Sequence, residues 1–165
     1  MKKILITKTI LLLSLFFITC YSKAQTASDY IIHYNDVVPK LNSIIPNKTQ
    51  YYGNPFSNFY NELQNKNIIV KGWIYDPKIV PSTKYYVLKM IFSDMKMFGL
   101  AHRNAFQYPL VVVTFEDEIP SQVVNLMDQY HAVWNPTVAQ FFSNLKIEKI
   151  EFIGVKGYNV EDYSE

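Results

Sequence analysis

His102, Arg103 and Asn104 stand together in the most unusual connection of this chain, the roughly fifteen residues from Ser93 to Gln107 between two strand patterns. Of all its residues these are the best suited to chemistry. An imidazole can take or give a proton near neutral pH, and a neighbouring guanidinium can hold an anion. Asp94 or Glu116 could supply the carboxylate of a hydrolytic pair with His102. No Ser or Cys nucleophile motif accompanies His102, so the competing expectation is a short packed helix from Met95 to Leu100 with His102 at its end.

Two further groups could bind. Lys71, Trp73 and Tyr75 alternate along an extended stretch and would share one strand face. That face could stack on a sugar, a peptide or another flat ligand, with Lys71 or Arg103 fixing its orientation. The competing expectation places these rings in the core beneath the first helices. Glu116-Asp117-Glu118 could offer oxygens to a divalent cation, but consecutive residues of an extended chain point alternately and converge poorly. His33 and His131 have no second histidine at a zinc-binding spacing and read as surface or boundary residues. No metal or cofactor site is therefore expected.

The first residues carry an address. Lys2, Lys3 and Lys8 precede the apolar run Ile10 to Ile18, and Ser22-Lys23-Ala24 places small residues before a cut at Gln25. This is the layout of a secretory signal peptide over residues 1–24, with an apolar part too short to span a bilayer. It resembles the signals of exported bacterial proteins. The alternative makes Cys20 a lipidated first residue, although Thr19 before it is bulkier than such sites prefer. A membrane contact is expected only in that case.

Export changes the charge and the chemistry. The chain has 16 basic and 14 acidic residues; four of the basic ones lie in the signal, leaving 12 against 14, a net of −2. A faintly acidic domain with scattered lysines has little attraction for a phosphate backbone, so a protein or a small ligand is the expected partner rather than nucleic acid. Cys20 is the only cysteine, so after cleavage no disulfide can form and packing alone must hold residues 25–165 as one domain.

The elements that must position these side chains follow from periodicity. Ser28 can cap a helix whose stripe is Ile31, Tyr34, Val38, Leu41 and Ile45, with a kink at Pro39. Phe56, Phe59, Tyr60 and Leu63 mark a second helix after Pro55. From Asn67 the period becomes two. Ile68, Val70, Gly72 and Ile74 oppose Ile69, Lys71, Trp73 and Tyr75; the stretch from Lys84 to Phe92 repeats the pattern, with Tyr86, Leu88, Met90 and Phe92 on one face. Leu110 to Phe115 is apolar on both faces and should be central and covered. Ile119-Pro120 opens a helix bearing Val123, Met127, Tyr130 and Trp134, and Asn135-Pro136 caps another bearing Val138, Phe141, Phe142 and Leu145. Lys146 to Val155 is the last strand, with either Ile150 and Phe152 or Ile147, Ile153 and Val155 inward.

The order predicts an α+β domain: a mostly antiparallel sheet of four to five strands, helices in front, and a helical pair before the last strand. The stretch from Ile69-Val70-Lys71-Gly72-Trp73-Ile74 to Gly157 also resembles the layout of an OB-fold barrel. The leading functional expectation is a non-catalytic ligand- or protein-binding module using Lys71, Trp73, Tyr75, His102 and Arg103. The alternatives are a small periplasmic hydrolase built on His102, and an inhibitor or assembly subunit with an unpaired sheet edge or an exposed apolar patch.

Overall fold

The computed structural model describes residues 26–160. The expected signal peptide, Cys20 and the end of the acidic tail lie outside the described residues.

Helix α1 spans Ala27–Asn42. Thr26 caps it rather than Ser28: its hydroxyl accepts from Asp29 N, and the Asp29 carboxylate accepts from Thr26 N at 2.6 Å. This reciprocal pair satisfies two otherwise orphaned donors. The buried stripe is Tyr30, Tyr34, Val37, Val38 and Leu41. The helix runs on through Pro39 into its last turn. Pro39 and Asn35 are both exposed, so the Asn35 carbonyl that loses its donor belongs to the solvent side of the helix. A 3-10 helix, Ile45–Tyr51, leads to α2, Phe56–Asn65. Pro55 cannot cap α2 with a side chain. The free N–H groups of Phe56 and Ser57 donate instead to the carbonyls of Leu145 and Ser143, at 2.9 and 3.0 Å.

Four strands form one antiparallel sheet in chain order: β1 Gly72–Pro77, β2 Tyr85–Ile91, β3 Leu110–Phe115 and β4 Ile147–Ile153. Helix α3, Met95–Arg103, joins β2 to β3. The supposed long loop is thus mostly helix, started by Asp94, whose side chain accepts from Met97 N at 2.8 Å. Helices α4, Val123–Tyr130, and α5, Pro136–Phe142, connect β3 to β4. Helix α4 starts later than Ile119-Pro120, and Trp134 falls beyond it, directly before the Asn135 cap of α5.

The sheet is open, not an OB-like barrel, because β1 and β4 remain at opposite edges. Each edge carries the chain's own backbone. Trp73 N donates to Ala132 O and Trp134 N to Lys71 O, both at 3.0 Å. Ile147 exchanges bonds with Gly53 and Asn54, and the Tyr52 hydroxyl sits 3.4 Å from both Ile150 N and Ile150 O. Such cover protects an edge from pairing with another chain.

One sheet face meets the helices. Leu88, Met90, Val111, Val113, Phe115, Ile150 and Phe152 are all fully buried there. Both readings of β4 hold in part, since Ile147 and Ile150 are buried together. The register steps from Thr114↔Lys149 to Phe115↔Ile147, so Glu148 is an extra residue that resets the alternation. β3 lies inside the sheet and is buried on both faces, as expected of a central, covered strand. Val112 and Thr114, on the face away from the helices, are buried too, with Val112 between Lys89 and Glu151.

Alternation in the first strand fails at Gly72. Ile68, Val70 and Trp73 are all buried, whereas Ile69 and Ile74 are exposed. Ile68 to Lys71 runs outside the paired strand, and the segment Ala132 to Trp134 crosses at Gly72. The facing therefore changes there.

Gly154, just past β4, has φ +69°, and a Cβ there would collide with Tyr108 O; Gly53 has a similar φ of +71°, but a Cβ there would meet only the Glu116 carboxylate, at an ordinary 3.8 Å. Gly154→Ala is expected to cost more than about 2 kcal/mol in urea unfolding, and Gly53→Ala about 1 kcal/mol from backbone conformation alone. Equal costs would contradict the close approach to Tyr108.

Candidate functional site

The residues expected to act together are separated. Trp73 is fully buried and packs edge-on against Phe142, with ring centroids 5.6 Å apart. It belongs to the core and offers no ring face to a ligand. Its indole N–H is buried without a hydrogen-bond partner. Tyr75 is half-buried and packs against Tyr85 at 4.6 Å, while Lys71 is exposed. The facing change at Gly72 places Trp73 inside, where strict alternation had left it on a recognition face.

His102 and Arg103 are exposed in the last turn of α3. Asp94 caps the opposite end of the same helix. Eight residues of helix between Asp94 and His102 amount to about 12 Å, well beyond hydrogen-bonding reach. Glu116 follows the far end of β3, whose near end adjoins α3; that strand alone is about 17 Å long. The His–carboxylate pair needed for hydrolysis is not assembled. Glu116, Asp117 and Glu118 are all exposed, and Glu118 pairs with Lys84 at 3.3 Å. Among the described residues no three potential metal-ligating side chains converge. His131 is exposed and ends α4 in a left-handed conformation, φ 48°.

His33 is only half-exposed. Its Nε2 is buried without a hydrogen-bond partner. Burial lowers its pKa below the usual value, and Lys71 adds to this; Asp36, Asp94 and a hydrogen bond to the Phe92 backbone oppose it. Next to Phe92, the Ser93 hydroxyl is likewise buried and unpartnered.

A groove forms where the sequence marked no site. Tyr60 and Gln64, one turn apart on α2, make one wall. The extended run Asn67 to Val70 makes another, and Trp134, Asn135 and Pro136 close it around about 360 Å³. A second lobe of about 290 Å³ continues past Tyr60, Gln64 and Pro136 toward Asn61 and Gln140. Both lobes lie within or at the lower edge of the size range of small-molecule sites, roughly 300–1,000 Å³. No charged residue lines either lobe.

Local structure fixes the groove's aromatic side. The Asn135 side chain accepts from Thr137 N and Val138 N, at 2.9 and 3.1 Å, and Pro136 sits in the first turn of α5. That start to α5 fixes the residue before it, Trp134, whose Nε1 donates to the Tyr60 hydroxyl at 3.0 Å. The Tyr60 ring stacks on Phe56, with centroids 5.9 Å apart and planes at 17°. The signals visible beforehand were the Asn-Pro cap and the one-turn spacing of Tyr60 and Gln64. Neither reveals that three separate segments meet.

His33 gives a pH test. Because folding favours its neutral form, its contribution is complete above the ordinary histidine value of about 6.5 and is lost as pH falls through the lower folded-state value. The midpoint of urea unfolding should therefore fall from pH 7.5 to pH 5, and fall less in His33→Gln. An identical fall in both proteins would show that other groups set the pH dependence.

Comparison of the chain with protein-family models, with curated proteins and with solved structures gives no match.

Proposed function

We propose that this chain is an exported, non-catalytic binding module whose ligand site is the two-lobed groove around Tyr60 and Trp134. The reading rests chiefly on one observation: a continuous depression of small-molecule size, walled by aromatic rings and amides, in a domain whose titratable groups do not converge on it. It keeps aromatic recognition, as expected from composition, but moves it from Trp73 to other rings. Lys71, Tyr75, His102 and Arg103 then have no place in the ligand site. The signal-like residues 1–24 support delivery outside the cytoplasm, with lipidation at Cys20 as the anchored alternative.

Binding here needs only contact area and orientation. Trp and Tyr provide large, stiff surfaces with one polar handle each. The Trp134–Tyr60 hydrogen bond consumes the indole donor and leaves the tyrosine's own O–H proton free to donate. The lining has no carboxylate, imidazole, amine or thiol, so its Ser57 and Ser143 hydroxyls have no charged base beside them in the groove.

A chemical-shift screen of the purified protein with nucleosides, dipeptides, fatty acids and sugars tests the site. The proposal expects at least one class to shift resonances of Tyr60, Gln64 and the Trp134 indole together. It also expects Trp134→Phe, which removes the bond that orients the Tyr60 hydroxyl, to weaken that ligand about three- to tenfold. Ligands that shift only residues outside the groove would contradict the assignment. Mass analysis of the exported N-terminus should find Gln25 or a lipidated Cys20; an intact Met1 would contradict export.

A further inference from the structure

The groove's chemistry narrows its ligand, given the binding-module reading on which this inference depends. We propose that it takes a neutral oligosaccharide of two or more units. The argument proceeds by matching each lining group to what it can satisfy.

Charge comes first. Neither lobe offers a cation or a carboxylate. The nearby ions Glu62 and Lys66 pair with each other along α2 at 3.4 Å and are absent from the lining. A phosphorylated, carboxylated or cationic ligand would give up water without gaining a countercharge, which is costly. Ligands of either sign are thus disfavoured.

Polarity comes second. Asn61, Gln64 and Asn67 are exposed on the groove, and Gln140 and Ser143 add further polar groups to the second lobe. An amide presents donors and an acceptor side by side, as does a hydroxyl-bearing ligand in reverse. A purely apolar ligand would leave these amides unpaired, at about 1–3 kcal/mol for each one desolvated. A polyhydroxylated ligand satisfies them.

Shape comes third. Tyr60 lies half-buried between the lobes, with the buried Trp134 backing it and the edge of Ile68 and the exposed Ile69 along the first lobe. The C–H face of a sugar ring is apolar and flat enough to lie against such surfaces, while its hydroxyls project from the edge. Each lobe has room for a sugar ring. The continuity of two lobes across Tyr60, both open to solvent, fits a chain of linked units passing over that residue.

Calorimetric titration of the purified protein with cellohexaose, maltohexaose, xylohexaose and chitohexaose tests this, with hexagalacturonic acid as the anionic control. At least one neutral hexamer should bind and the anionic one should not. Gln64→Ala, an exposed position, and Tyr60→Phe, which keeps the ring and removes the hydroxyl, should each weaken binding about three- to tenfold. The thermal midpoint of Gln64→Ala should stay near that of the parent, separating lost contacts from lost fold. Tyr60→Phe also removes the acceptor of the Trp134 indole and should lower the midpoint. The inference is overturned if no neutral hexamer binds, or if binding is indifferent to both substitutions. It is also overturned if hexagalacturonic acid binds as well as the neutral hexamers. A nucleoside, dipeptide or fatty acid that shifts the groove while every hexamer fails would sink the saccharide assignment and leave the binding-module reading standing.

Discussion

Stacking around Phe142 holds this molecule together. Its ring lies nearly parallel to Phe115 on one strand, with centroids 6.0 Å apart, and to Trp134, 6.3 Å away. Trp73 meets it edge-on at 5.6 Å, and Phe56 at 6.3 Å. One side chain from the last helix thus touches two strands, the second helix and the segment before its own cap. Each fully buried aromatic contributes about 1.5–3 kcal/mol through burial, and well-oriented ring pairs add about 0.5–1.5 kcal/mol each. A cysteine-free domain has no covalent cross-link to share that task. Because Trp134 stacks on Phe142 and bonds to Tyr60, the packing that joins helices to sheet also sets one wall of the groove.

That dependence explains why aromatic content alone does not locate a site. Most of the rings are structural. Trp73 sits so deep that its N–H is left without a partner, a cost tolerated for the area it buries. Tyr30 and Tyr34 are pinned by hydroxyl bonds to the carbonyls of Gln107 and Gly154, tying the first helix to the far end of the sheet. Burial raises the pKa of both phenols, so they remain neutral donors. Tyr60 differs from these pinned rings in being half-buried beside the exposed amides of Asn61, Gln64 and Asn67.

Local rules made much of the fold legible. Leu88, Met90 and Phe92 point inward as their alternation requires, Asn135-Pro136 starts a helix as its chemistry requires, and the α+β arrangement with one antiparallel sheet follows from the element order. Long-range contacts hid the rest. Asp94 reads equally as a catalytic carboxylate or as a cap three residues before Met97 N, and only the helix itself decides. The facing of Trp73 depends on a backbone crossing from Ala132 to Trp134, some sixty residues away in the chain. The extra residue at Glu148 lets two incompatible alternations both be right. The groove was least legible, since Tyr60, Asn67 to Val70 and Trp134 to Pro136 carry no shared pattern before the chain brings them together.

The most direct test of this account is ¹⁹F NMR of protein carrying 5-fluorotryptophan, which resolves Trp73 and Trp134 as separate signals. In Phe142→Leu at temperatures well below unfolding, both resonances should move. Trp134 should gain solvent exposure, seen as a larger solvent isotope shift, because its stacking partner is gone. A Trp134 signal unchanged in position and exposure, in a variant that is measurably less stable, would contradict the claim that the core packing also shapes the groove.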